Sequence, residues 1–375
     1  MSLIVAAVRE SAPGETRVAL VPAAVGPLKA LGLDVLVQAG AGFRAHISDD
    51  AYTAAGASVV PAGEIYRRAD IVLCVAPPPD DTRMRRGQTI IGLLEPSQHP
   101  ERIERWAADG VTAISLDRIP RTLSRAQTMD VLSSQASVVG YKAALEAANA
   151  YGGYLPMLTT AAGTVKPATV LVLGAGVAGL QAIATARRLG AIVTGYDVRP
   201  ETRSEITSLG ARFLDLGTAA IEASGAGGYA RELTDAEREA QQAALDAKIA
   251  GFDIVITAAA VPGRRPPLLV SERALAAMRP GSVVVDTAAG LLGGNVALSK
   301  PDETVTVADD VTVIGAGNLA AHVPVAASTA YSRNLKAVLA SLIHDGELAI
   351  DPEDEVHAAI VLTRPTKNVE GGEPR

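Results

Sequence analysis

Cysteine occurs once in 375 residues, aromatic side chains make up only 3%, and no apolar run approaches the ~20 residues that a membrane-spanning helix needs. The single cysteine, Cys74, excludes an internal disulfide framework, as expected of a reducing compartment. It sits within the apolar run Ile71 to Val75 and reads as buried strand filler rather than a reactive thiol. The chain opens directly on a strand-like stretch, Leu3 to Val8, so neither a signal peptide nor direct membrane insertion is expected, and any membrane location has to come through a partner. Basic charge is also short. The 34 Lys and Arg against 41 Asp and Glu leave a formal net charge of −7, without the footprint of a nucleic-acid reader. The five histidines, His46, His99, His322, His344 and His357, form no pair with metal-ligand spacing, so no metal site is expected.

What is present is a chain rich in Ala, Val and Leu with 35 glycines, long enough for two domains that each bury a core. Apolar runs of strand length alternate with helical patterns, the order that yields parallel sheets covered by helices. Strands are expected at Leu3 to Val8, Asp34 to Gln38, Asp70 to Ala76, Thr89 to Leu94 and Val111 to Leu116. Between about Ala126 and Tyr151 there is no Pro and one Gly, with a mixed helical face through Val131, Gln135, Val138, Lys142 and Leu145, which predicts a long connecting helix. A second α/β unit opens at Thr169, its last strand falls at Val311 to Ile314, and another helical pattern runs from His322 to a stop at Gly346. The fold class that follows is α/β, two Rossmann-like parallel-sheet domains joined by two long bridging helices. Residues 1–125 with about 323–375 form the first domain, 126–151 the bridging helix and 152–322 the nucleotide-binding domain.

The stretch TVLVLGAGVAGLQAIATARRLGAIVTGYD places Gly174, Gly176 and Gly179 in Gly-x-Gly-x-x-Gly spacing between a strand-like run and a helical one. In that motif the first glycine makes the tight turn and the second lets the backbone approach a pyrophosphate. The third permits close helix-to-strand packing, and the helix N-terminus offers dipole and free N–H groups. The next strand, Ala191 to Tyr196, ends on Asp197, whose carboxylate can accept hydrogen bonds from both ribose hydroxyls and repels a 2′-phosphate. The expected cofactor is therefore NAD(H). Arg199 and Arg203 follow and read as solvated charges at a helix start. Gly315, Ala316, Gly317 and Ala320 nearly repeat the motif, but no acidic strand end follows, so this second match reads as a turn.

From GETRVALVP (Gly14 to Pro22) to the helix around Asn334, the chain resembles the NAD(H)-binding alpha subunit of proton-translocating nicotinamide nucleotide transhydrogenase, within the alanine dehydrogenase/transhydrogenase superfamily. The most specific stretch is SRAQTMDVLSSQA, Ser124 to Ala136, which looks like the family's loop over the nicotinamide ring. The resemblance implies that Gln127, Asp130 and Ser133 are that loop's polar groups, with the preceding arginine filled by Arg121 or by Arg125. GGYARELTD, with Gly227, Gly228 and Tyr229, resembles a mobile loop that closes over bound nucleotide. The full set of expected cofactor contacts is then Arg125, Gly174, Gly176, Val177, Gly179, Asp197, Val198, Arg199, Gly228 and Tyr229. The runs ITAAAVPGRRPP (Ile256 to Pro267) and VVVDTAAGLLGGN (Val283 to Asn295) match as well. In the second, the loop after Asp286 is one residue longer than the family form and lacks an acidic residue, and His322 stands where arginine is common.

The resemblance implies direct hydride transfer between NADH and NADP+, the NADP(H) being held by a partner subunit, coupled to proton translocation by membrane-spanning partners. It also implies a homodimer that is cytoplasmic and peripheral on the inner face of the plasma membrane. Two other readings stand beside it, a free-standing alanine dehydrogenase-like enzyme and a non-catalytic NAD(H) sensor. Alanine dehydrogenase shares the Arg17 opening, but its substrate lysine and histidine fall by position on Ala76 and Glu95. An amino-acid oxidation needs a proton acceptor beside the hydride acceptor, and this chain lacks the expected pair.

Overall fold

The computed structural model describes residues 2–78, 83–216, 234–260 and 263–363. They divide into two compact units, Met1–Ser134 with Pro324–Arg375, and Gln135–Val323.

In the first unit, strands β1 (Ile4–Ala7), β2 (Asp34–Gln38), β3 (Ser58–Val60), β4 (Ile71–Leu73), β5 (Thr89–Gly92) and β6 (Thr112–Ser115) form one sheet. Its order is β3-β2-β1-β4-β5-β6, and every pairing is parallel. Successive side chains point to opposite faces of a strand, which explains why these runs are apolar throughout rather than alternating. Val5, Ala7, Val35, Val37, Ile71 and Leu73 pack on one face with Val25, Leu28, Tyr331 and Leu335. Ala6, Leu36, Val72, Cys74 and Ile90 pack on the other with Ile65 and Trp106. The buried face of the helix Pro324–Leu342 belongs to the first of these layers. Polar bonds fix it there: the N–H groups of Val18 and Val21 donate to the hydroxyls of Ser328 and Ser332 at 3.0 and 3.1 Å, and the Tyr331 hydroxyl donates to the Cys74 carbonyl at 2.7 Å.

The second unit carries a hairpin, β7 (Leu158–Thr160) and β8 (Gly163–Val165), and a seven-stranded sheet. The sheet comprises β9 (Thr169–Leu173), β10 (Ile192–Tyr196), β11 (Arg212–Phe213), β12 (Ile254–Thr257), β13 (Val283–Asp286), β14 (Thr304–Val307) and β15 (Val311–Gly315). Its order is β11-β10-β9-β12-β13-β15-β14, parallel except for β14 against β15. Both β10 and β12 flank β9, so the chain reverses its winding beside β9. That reversal is the place where open α/β sheets bind ligands, at the strands' carboxyl ends.

The long helix begins at Val131 and ends at Ala150, later than the expected start at residue 126. A 3-10 turn, Ser124–Met129, precedes it. The boundary is set by Asp130, whose Oδ1 accepts the Ser133 N–H at 2.9 Å, a carboxylate cap on the first free amides of the helix.

Candidate functional site

In the second unit β9 runs into Gly174, which adopts φ +97, a conformation that glycine adopts without strain. Its N–H donates to the Tyr196 carbonyl at 2.8 Å. A Cβ there would meet the carbonyl of Ala258 at 2.8 Å and the Ala259 nitrogen at 2.9 Å, and a Cβ at Gly179 would collide with the Gly174 carbonyl oxygen. Gly176 differs in kind. It caps the helix Val177–Arg188 without a side-chain hydrogen bond, and the position of its missing Cβ faces open space. Two glycines are thus demanded by the protein's own packing, and one leaves room beside free helix N–H groups, the pattern a phosphate-binding turn requires. By contrast, Cβ atoms at Gly315 and Gly317 would run into Lys300 and Asp302, so the second glycine pair is a packed turn.

Asp197 follows β10, and its carboxylate reaches back to the turn. Oδ2 accepts the Ala175 N–H at 2.8 Å. The expectation that Arg199 is a solvated charge is corrected here: its backbone N–H and Nε donate to Oδ1 at 2.9 and 3.0 Å, and its Nη2 donates to Oδ2 at 2.9 Å. Two residues of separation let the guanidinium fold back as a fork on the carboxylate. Arg203 is drawn elsewhere, to Asp215 at 2.9 Å and over the Phe213 ring. Val177 is exposed at the start of the helix, and Val198 is partly buried against the second core of this unit. Gly228 and Tyr229 lie outside the described residues.

Three groups here carried no assigned role in the sequence. Gly140, the one glycine of the long helix, would place a Cβ against the backbone of Ala178, so it permits that helix to press on the first turn of Val177–Arg188. Asn295, fully buried, accepts the Ala259 N–H at 3.1 Å and donates to the carbonyls of Ala259 and Pro267 at 2.8 and 2.7 Å. Asp286, also fully buried, accepts from the Thr257 hydroxyl and from the N–H groups of Ala288 and Val296 at 3.0 to 3.1 Å. Together they fix the strand ends that press on Gly174. Only their presence in a matching motif pointed to them. In the same unit, His322 is an exposed side chain 3.7 Å from Glu146.

The loop expected over the nicotinamide belongs to the first unit. Arg121 donates from Nε to Asp130 at 3.3 Å and from Nη2 to the Ser133 hydroxyl at 2.9 Å, and that hydroxyl donates to Asp130 at 2.5 Å. Arg121, Asp130 and Ser133 thus form one cluster. Arg125 turns instead to Asp354, at 2.7 and 3.1 Å, and this pairing holds the Asp354 carboxyl down at about 2. Gln127 is exposed, on a turn pinned by the buried Ala126 and Met129 and by Asn334, which donates to the Thr128 carbonyl at 2.8 Å and accepts from the Ser134 hydroxyl at 2.6 Å.

Also in the first unit, Arg17 commits Nε and Nη2 to Glu15 at 2.8 and 2.6 Å. Glu10 accepts the N–H groups of Val75 and Ala76 at 2.6 and 3.2 Å, and burial pushes its carboxyl up to about 8. Burial also pushes the Cys74 thiol well above its ordinary range, which makes it inert packing. Among the described residues no cluster of His, Cys, Asp and Glu could hold a metal ion, and no helix is long and apolar enough to cross a membrane.

Two family models match the chain, the N-terminal domain of alanine dehydrogenase/PNT over residues 6–139 and its C-terminal domain over residues 143–370. The chain is 40% identical to an NAD(P) transhydrogenase subunit alpha of Cereibacter sphaeroides, over 97% of the chain and 74% of that protein. In Rhodospirillum rubrum the alpha subunit of NAD(P) transhydrogenase is divided, and the chain is 39% identical to its first polypeptide, over 95% of each. A solved transhydrogenase structure from Sinorhizobium meliloti superposes with a TM-score of 0.86 at 41% identity, covering 96% of this chain and 99% of that one.

Proposed function

The chain belongs to the alanine dehydrogenase/PNT family of pyridine-nucleotide redox enzymes, and from that premise we propose that it is the NAD(H)-binding subunit of a proton-translocating transhydrogenase. The observation that carries the cofactor assignment is the Gly174 to Gly179 turn closed by Asp197. The free N–H groups after Gly176 take the pyrophosphate, with the open space at that glycine admitting it, and Asp197 takes the ribose hydroxyls in competition with Arg199. A 2′-phosphate would be pressed against the Asp197 carboxylate while Arg203 is held away by Asp215, so NAD(H) is preferred over NADP(H). Tyr229 and Gly228 cover the nucleotide, as the resemblance implies.

The nicotinamide supplies the hydride chemistry when bound, and the chain has to orient the ring and exclude water. Gln127 orients it, and Arg121, rather than Arg125, holds the loop's charge through Asp130 and Ser133. Hydride passing directly between two nicotinamides requires no proton transfer at the reacting carbons. The substitution of Ala76 and Glu95 for the dehydrogenase lysine and histidine is therefore tolerable here and not in alanine oxidation. The NADP(H) sits on a partner subunit, membrane-spanning partners couple the reaction to proton movement, and this chain acts as a homodimer at the inner face of the plasma membrane. An assay of NADPH-driven reduction of an NAD analogue, with and without the partner and beside a panel of keto acids with ammonia, tests the reading. Turnover should need the partner, and robust keto-acid reduction by the isolated chain would replace this reading with the dehydrogenase one.

A further inference from the structure

The loop after β13 ends in an apolar knob. Gly290 and Gly293 bond each other's backbones at 2.9 and 3.0 Å and close a two-residue turn on Leu291 and Leu292. Leu291 is 89% exposed and Leu292 43%, whereas the loop's base is among the most rigidly held parts of the unit. Asp286 anchors one side through Ala288 and Val296, and Asn295 anchors the other to Ala259, whose nitrogen abuts Gly174. The knob is thus tied by a short run of buried hydrogen bonds to the turn assigned to the pyrophosphate, at the same carboxyl edge of the sheet. Two leucines held in water on a stiff turn gain nothing for folding, and an exposed apolar feature of this kind marks a contact surface.

The charge around the knob names the partner's chemistry. The chain carries a net −7, yet Arg264 and Arg265 stand exposed beside the turn, with Arg265 Nε 3.8 Å from where a Gly293 Cβ would lie. Neither arginine has an ion-pair partner among the described residues. The exposed Leu268 lies on the same connection.

We propose that Leu291 and Leu292 are the docking knob for the NADP(H)-binding partner subunit, seating in an apolar socket rimmed by acidic side chains that meet Arg264 and Arg265. The inference rests on the transhydrogenase reading: direct hydride transfer demands that the partner's nicotinamide approach to about 3–3.5 Å, so the partner has to cover the edge at which this knob projects. Apolar anchors at the centre and opposite charges at the rim are the usual division of labour in such interfaces.

The test uses the full chain and the NADP(H)-binding subunit from the same source, and measures three things. They are the calorimetric Kd for that subunit, the Kd for NADH, and the NADPH-driven turnover as the subunit is titrated. In the double variant Leu291→Ser, Leu292→Ser the Kd for the partner should rise about tenfold or more, with NADH affinity and turnover at saturating partner retained. Arg265→Glu should weaken the complex in a salt-dependent way. An unchanged partner Kd overturns the proposal. So does a parallel loss of NADH affinity, which would assign the knob to the nucleotide site, or loss of self-association with partner binding intact, which would assign it to a second copy of this chain. If the unaltered proteins bind each other but transfer no hydride, the functional reading fails, and the docking proposal is then decided by the Kd comparison alone.

Discussion

Replacing Asp197 by Asn keeps the shape of the side chain and removes its charge. In the structure this carboxylate accepts four bonds, one from Ala175 and three from Arg199, and little of it is exposed. An Asn Oδ1 can still accept the Ala175 N–H, so the turn should survive. The charge-assisted bonds to ribose should become ordinary ones, a loss of ~1.5–3 kcal/mol or about ten- to a hundredfold in NADH affinity. NADPH should bind more tightly than it does to the unaltered chain, because the repulsion of a 2′-phosphate goes while Arg199 stays. Asp197→Ala separates the two roles, since it also leaves the Ala175 N–H without its acceptor beneath the turn, at a further cost of ~1–3 kcal/mol in stability. Calorimetric Kd values for both nucleotides, with thermal unfolding of all three proteins, check the argument. Equal Kd values for NADH before and after Asp197→Asn would refute the placement of the ribose at Asp197.

Gly176→Val should leave the melting temperature nearly unchanged, because its Cβ faces open space at negative φ, and should abolish NADH binding. Gly179→Ala should unfold or distort the unit by collision with Gly174. Comparable stability losses in both would mean that the open space is not a phosphate site. Gln127→Ala should slow partner-dependent turnover with NADH affinity changed much less, and parallel losses by kinetics and calorimetry would restrict Gln127 to binding. Glu10 gives a pH dependence: with its carboxyl at about 8 rather than 4.5, the folded chain holds a proton that the unfolded chain has lost. Stability should therefore fall as pH rises from about 4.5 to 8, by at most about 1.4 kcal/mol per unit from this group. Glu10→Gln should flatten that slope in thermal melts, and an identical slope in the variant would show that Glu10 is ionised throughout.

The central strands were legible because a parallel sheet buried on both faces leaves uninterrupted apolar runs, as at Ile71–Leu73 and Val283–Asp286. The edges were not. The short β3 begins on an exposed Ser58, and β14 alternates exposed Thr304 and Thr306 with partly buried valines, so neither stands out from a loop. The start of the long helix was misplaced because Ala126 and Met129 continue the apolar pattern while Asp130 silently caps the helix. At the site, the glycine spacing and Asp197 are local signals. The choice between Arg121 and Arg125 turns on Asp354, 229 residues from Arg125, and the clamp on Gly174 runs through Asn295. Contacts of such separation leave no trace in a single sequence.

The most direct test of the account follows the hydride itself. NADPH deuterated at the transferred C4 position, incubated with NAD+, this chain and its NADP(H)-binding partner, should yield NADH carrying the deuterium, with none appearing in water and none transferred when the partner is omitted. Label lost to solvent, or transfer that needs an added keto acid rather than the partner, would contradict direct transfer between two nicotinamides.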